Sequence, residues 1–198
     1  MKFQSGTRQR ASENDVVTAF LDAEFQNPRH HDLYATVMAR IGVGADQVES
    51  DQDVRMRLFQ IARGWPDKLL FDDFPQSVQW YWGELDDEDI ARLKYINYSY
   101  WNELSNNTRS PEAAALTVNG GTMVFGKSND NFIGIAKAVR NGKQFPPLIL
   151  GELEDGNYVI IEGHARATGF AIAGKVPVGQ KIIVGKGAFD EWAKEGKD

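Results

Sequence analysis

The stretch Ile160-Ile161-Glu162-Gly163-His164-Ala165-Arg166-Ala167-Thr168-Gly169-Phe170 concentrates the residue types that do chemistry. An apolar strand pattern runs straight into a helical one, with glycine at the junction. The first amides of a helix have no intrahelical partners, and the helix dipole adds partial positive charge there. Together they form an anion site, for which phosphate is the usual occupant. Gly163 lets a ligand approach the backbone, and His164 and Ala165 supply first-turn amides. Arg166 can add a bidentate, charge-assisted contact. His164 can exchange a proton near neutral pH. Thr168 either faces the same ligand or packs. Glu162 is the acid–base candidate, serving as general base or metal ligand because a carboxylate repels phosphate. The plainer reading of the same residues is a capped helix start and a strand-end glutamate.

Three other groups invite a test. Lys127-Ser128-Asn129-Asp130-Asn131 opens another helical pattern. There Lys127, Ser128 and Asn129 can hold a phosphate, with Asp130 as a magnesium ligand; the alternative is a well-capped helix. The segment from Asn97 to Arg109 interleaves aromatic and amide side chains, Trp101 and Arg109 standing out. Such a segment stacks a base or packs between layers, and packing is favoured. His30-His31 are adjacent, with no third histidine close in sequence, which does not suit one zinc ion.

These groups need elements to hold them. Ser12 and Asp15 form a capping-box pattern, and Val16, Val17, Phe20, Leu21 and Phe25 recur at helical spacing, so 13–26 reads as an amphipathic helix. Leu33 to Ile41, closed by Gly42, and Val54 to Ala62, closed by Gly64, read as two more. Val78 to Trp82 reads as a short aromatic strand. Asp86 or Asp87 caps a long helical pattern through Ile90, Leu93, Ile96, Tyr100, Trp101 and Leu104. Ser110-Pro111 opens a short helix. Met123-Val124-Phe125 reads as a strand, and Ser128 or Asn129 caps a helix that ends before Gly142. Leu148 to Leu150 and Tyr158 to Ile161 pair as a hairpin. Gly163 to Ala173 is helical, 181–184 is a strand, and 188–194 is a final helix. Residues 1–11 read as a mobile tail. The expected organisation is a mainly helical region, 1–110, packed on an α/β domain, 111–198.

Residues 126–185 resemble the ParB/sulfiredoxin superfamily. The resemblance rests on the helix Ile135 to Arg140 with Asn141-Gly142, then Pro146-Pro147-Leu148-Ile149-Leu150, then Asp155-Gly156 through Ile161-Glu162-Gly163-His164-Ala165-Arg166. It places Gly163 and Arg166 on the ends of the family's glycine-led signature. It implies an α+β fold with a small mixed sheet and a signature helix, here preceded by a helical region. Nucleotide binding is the shared theme, with hydrolysis, phosphoryl transfer and nuclease activity as variants. The departures narrow this. His164 occupies the position of the sulfiredoxin cysteine, which excludes sulfinic acid reduction by that route. His164-Ala165 replaces the Glu-Arg of partition proteins, which argues against their CTP switch.

Composition narrows it further. The 198 residues carry 28 acidic and 22 basic side chains, a net charge of −6, so nucleic acid is a partner that is not favoured. There are no cysteines, which removes thiolate nucleophiles and metal sites. No apolar run reaches the length of a membrane span, and a cytoplasmic protein is expected. The functional expectation is an enzyme binding a nucleoside triphosphate with magnesium. Glu162 or His164 moves a proton, and phosphate passes to water or to a small hydroxyl-bearing acceptor. The alternative is a non-catalytic nucleotide or nucleic-acid binding module, or a nuclease.

Overall fold

The computed structural model describes residues 9–197. The fold is mixed α and β, built on one five-stranded sheet. Four helices come first: α1 (Glu13–Phe25), α2 (His31–Ile41), α3 (Ala45–Ser50) and α4 (Gln52–Arg63). The strands are β1 (Gln79–Glu84), β2 (Leu93–Lys94), β3 (Leu148–Glu152), β4 (Tyr158–Glu162) and β5 (Lys181–Lys186). Between them lie α5 (Ser99–Leu104), α6 (Pro111–Asn119), α7 (Asp130–Arg140) and α8 (His164–Ala173), and α9 (Phe189–Lys194) closes the chain.

The strand order is β1-β5-β3-β4-β2. The β3–β4 hairpin is antiparallel, β5 runs parallel to β3, β2 parallel to β4, and β1 antiparallel to β5. Both faces are covered. Ile149, Val159, Ile161 and Ile183 meet Val17, Phe20 and Phe59 of the first helical layer and Phe71 of the 3-10 turn Leu69–Phe71 that follows it. Their neighbours Leu148, Leu150, Ile160, Ile182 and Val184 meet Phe170, Ala167 and Val139 on the other side. Alternation with period two therefore sends successive side chains into two different cores. That is why these strands read as continuous apolar runs.

Most expected elements are present, and the caps explain their bounds. Ser12 and Asp15 form the reciprocal capping box of α1, while Gly42, Gly64 and Gly174 close α2, α4 and α8 in the left-handed conformation. Several elements differ from expectation. The long helix over 86–104 is instead a 3-10 turn (Asp87–Arg92), strand β2 and the short α5. Leu93 and Lys94 run beside Tyr158 and Val159, and Tyr95 N donates to Arg109 O at 2.8 Å. The open ladder of β4 took these residues, so tertiary pairing overrode a helical spacing. Met123-Val124-Phe125 is no strand: residues 124–126 form a 3-10 turn, with Phe125 left-handed at φ 48° and outside the sheet. Of the expected tail, residues 1–8 lie outside the described residues. Gln9 to Ala11 pair with the edge of β1, Ala11 N donating to Trp80 O at 3.0 Å and Trp82 N to Gln9 O at 2.9 Å. The sheet takes β1 and β2 from before residue 110, so the α/β unit reaches back to Gln79.

Among the described residues no helix is long and apolar enough to cross a membrane.

Candidate functional site

Strand β4 ends at Glu162, and α8 starts two residues later. Gly163 makes the corner at φ 109°. A Cβ there would stand 2.8 Å from Leu148 Cγ, in a backbone conformation that L side chains resist. Gly163→Ala is therefore expected to destabilise the fold by about 2 kcal/mol or more. A urea midpoint equal to wild type would show that the corner tolerates a side chain.

The side chains around the corner divide into buried and pocket-lining ones. Arg166 is buried, 7% exposed. Its Nη1 donates to Pro146 O at 2.5 Å and Pro147 O at 2.9 Å, and its Nη2 donates to Glu162 Oε1 at 3.0 Å. It ties the β3 approach to the α8 start, and its guanidinium nitrogens Nη1 and Nη2 already have partners. Thr168 is fully buried. Its hydroxyl donates to His164 O at 2.8 Å and shares a 2.9 Å bond with Tyr95 Oη. Glu162, His164 and Ala165 are partly buried and line a pocket.

This pocket of about 300 Å³ lies at the carboxyl end of β4, between the first helical layer and α8. Open α/β sheets place ligands in the same position. Glu24, Arg29, His30 and Arg63 form its helical wall. Tyr98 and Trp101 form a second wall, and Lys197 reaches the rim from the C-terminus.

Charge in the pocket is organised in pairs. Arg63 Nε donates to Glu24 Oε2 at 2.8 Å, and Arg63 Nη2 donates to Oε1. The Tyr34 hydroxyl donates to Glu24 Oε2. Burial, with the Glu24 charge alongside, pushes the Tyr34 phenol up, so it stays a proton donor. Arg63 Nη2 also donates to His30 Nδ1 at 2.9 Å. An arginine is a donor only, so the neutral His30 ring carries its proton on Nε2. Burial lowers the His30 pKa, helped by Arg63 and Arg29 and opposed by Glu24. Glu162 pairs with Arg166, and Lys197 with Glu195 at 3.0 Å. Arg29 is the cation left over: it is exposed and makes no ion pair among the described residues.

Burial raises the Glu162 carboxyl; Arg166 opposes the shift and the Glu24 charge reinforces it. Burial also drives His164 down to about 3, with Arg166 adding to the shift. His164 is therefore a neutral ring at pH 7 and a weak base, which leaves Glu162 as the stronger proton-transfer group. The His164 ring lies against Trp101, centroids 5.2 Å apart and planes 15° from parallel. Its Nε2 is buried without a hydrogen-bond partner among the described residues.

The second group of candidates lies outside this pocket. Trp101 touches both helix starts, with Phe132 of α7 at 6.1 Å between centroids. Lys127 Nζ sits 4.9 Å over the Tyr100 ring. Ser128 Oγ accepts from Asp130 N at 3.1 Å, and Asn129 Nδ2 donates to Thr122 O at 2.9 Å. The Ser128 bond meets the first amide of α7, while Asn129, at the N-cap, makes no side-chain capping bond. Asp130 is exposed, and among the described residues no three His, Asp or Glu side chains converge to hold a metal ion. Arg109 Nε donates to Tyr95 O at 2.7 Å.

The helical wall was missed in the sequence. Glu24 carried the one usable signal: it falls four residues after Phe20 on the apolar stripe of α1, where a carboxylate needs a partner. Arg63 reads locally as a cation at the end of α4 that suits the helix dipole. No family model, curated protein or solved structure matches this chain.

Proposed function

We propose that the protein is a nucleotide-binding enzyme whose phosphate ligand sits in the pocket at the start of α8. One observation carries the reading. Both carboxylates that line the pocket have their own cation, Glu24 with Arg63 and Glu162 with Arg166, and Lys197 is paired with Glu195 outside it. Arg29 remains, and His164 and Ala165, the first residues of α8, line the same space, where a helix start favours an anion. The unmatched charge is positive, which suits an anion. Arg63, held by Glu24, adds a fixed donor group at the wall. Arg166 acts in this reading by holding the turn rather than by touching phosphate.

Glu162 is the group that takes or gives a proton, since its raised pKa brings it closer to neutrality. The reaction is hydrolysis of a nucleoside triphosphate or transfer of its phosphoryl group to a small hydroxyl-bearing acceptor. Magnesium would arrive with the phosphates; Asp130 does not line the pocket, and no step here is routed through the ion. The resemblance of residues 126–185 to the ParB/sulfiredoxin superfamily supports nucleotide binding as the theme.

The test is a thermal-shift series with inorganic phosphate, ATP, GTP and CTP, each with and without magnesium, on the wild type and on Arg29→Ala. Ligand at 100 times its Kd should stabilise by about 2.7 kcal/mol. Arg29→Ala should weaken binding about tenfold, as expected for a charge-assisted hydrogen bond. Phosphate release measured in parallel separates an enzyme from a binding module. No shift with any phosphorylated probe would overturn the assignment.

A further inference from the structure

The pocket has a second chemical character that the anion reading does not use. Its wall opposite the helical layer is aromatic. Trp101 and Tyr98 stand there, with Ile96 beside them. Trp101 is held from behind. Tyr95 lies 4.8 Å from it and His164 5.2 Å, both close to parallel, and those two rings are 6.0 Å from each other. Two rings stacked on opposite faces of one indole would stand about 7 Å apart or more. Tyr95 and His164 therefore back the same side of Trp101. Phe132, tilted at 6.1 Å, and Tyr100, edge-on at 5.0 Å, flank the indole elsewhere, and its partly exposed remainder lines the pocket. A side chain fixed in this way is a platform with little rotamer freedom left to lose on binding.

Size and charge limit what the platform serves. Pockets that enclose most of a ligand run from about 300 to 1,000 Å³. At about 300 Å³ this one is at the small end. Its unmatched charge is the single cation Arg29. That suits one phosphate rather than a polyphosphate chain. We infer that the pocket encloses a nucleoside monophosphate, with its base laid on Trp101 and Tyr98 and its single phosphate between Arg29, Arg63 and the start of α8. The inference rests on the reading of this pocket as an anion site and puts a monophosphate in place of the triphosphate as the ligand held there.

Calorimetric titration of the full chain tests it, using inorganic phosphate, ribose 5-phosphate, the four common ribonucleoside monophosphates and their triphosphates. The proteins are wild type, Trp101→Leu and Trp101→Phe. At least one monophosphate should bind about tenfold to a hundredfold tighter than ribose 5-phosphate, the range expected for one stacked base. Its triphosphate should bind no tighter. Trp101→Leu should erase the advantage of the base while leaving ribose 5-phosphate binding in place, and Trp101→Phe should keep most of it. Ribose 5-phosphate matching every monophosphate would overturn the inference and leave the anion site standing. So would a base preference that survives in Trp101→Leu, or a triphosphate more than tenfold tighter than its monophosphate. Binding by none of the probes would remove both readings. If Trp101→Leu does not fold, the wild-type series and Trp101→Phe still decide.

Discussion

Arg63→Met is expected to lower the unfolding free energy by about 3–5 kcal/mol, the usual cost of removing one partner from a buried ion pair. For a domain of this size that is a drop in Tm of about 6–20 °C. Glu24 is 5% exposed, and Arg63 supplies two of its hydrogen bonds. Without the guanidinium the carboxylate keeps only the Tyr34 hydroxyl and the His30 edge, 3.5 Å away. A charge in that position is either left uncompensated or must take a proton, and both destabilise the native state. Removing the whole network should behave differently. Glu24→Leu with Tyr34→Phe and Arg63→Met leaves apolar groups of similar shape and strands neither the charge nor the hydroxyl. The triple variant should recover most of the lost stability and still fail to bind phosphorylated probes. Denaturant titration of the two variants separates folding from binding. A loss under about 1 kcal/mol in Arg63→Met would mean that water already solvates the pair.

The contrast between what could and could not be read from sequence follows the same division. The chain positions of the α8 turn were legible because they are local: apolar Tyr158 to Ile161, a glycine, then helix formers, all within one strand and one turn. The roles within that turn were only partly legible. Arg166 read as a bidentate phosphate contact at the helix start, but the Pro146 and Pro147 carbonyls, twenty and nineteen residues away, take hydrogen bonds from its guanidinium. Carbonyls have no sequence signature, so nothing local announced them. Thr168 was open between ligand and packing, and in the structure it is buried with its hydroxyl bonded to that of Tyr95. Strand β2 was hidden because two residues carry too little pattern to outweigh the helical spacing around them. The Glu24–Arg63 pair spans thirty-nine residues. Each member looked ordinary on its own helix, and only the packing of α1 against α4 makes them one group. The pocket inherits this: one wall is local and could be read, and the other exists only in the assembled fold.

Acidification should reveal His164 before any ligand is known. In the native state burial holds this imidazole down to about 3, while in the unfolded chain it titrates near 6.5. Between these values the unfolded chain carries a proton that the native protein refuses, so stability must fall as pH falls from about 6.5. Each pH unit in that window costs about 1.4 kcal/mol, a loss of a few kcal/mol by pH 4. Glu162 works in the opposite sense. Its native pKa is raised, so over its own window the native state binds the extra proton, and acid offsets part of the loss. His30, also lowered, adds to the loss. Subtracting a His164→Gln series from the wild type, measured by urea unfolding at pH 7, 6, 5 and 4, isolates the one group. The wild-type curve should fall more steeply, with the gap opening below pH 6.5. Parallel curves would mean that water reaches Nε2 and that His164 titrates normally. A gap of the expected sign has a consequence for the chemistry. It fixes the ring as neutral wherever the fold is stable, so His164 does not set the acid limb of an activity profile, and the limb falls to the other titrating groups of the pocket, Glu162 and His30.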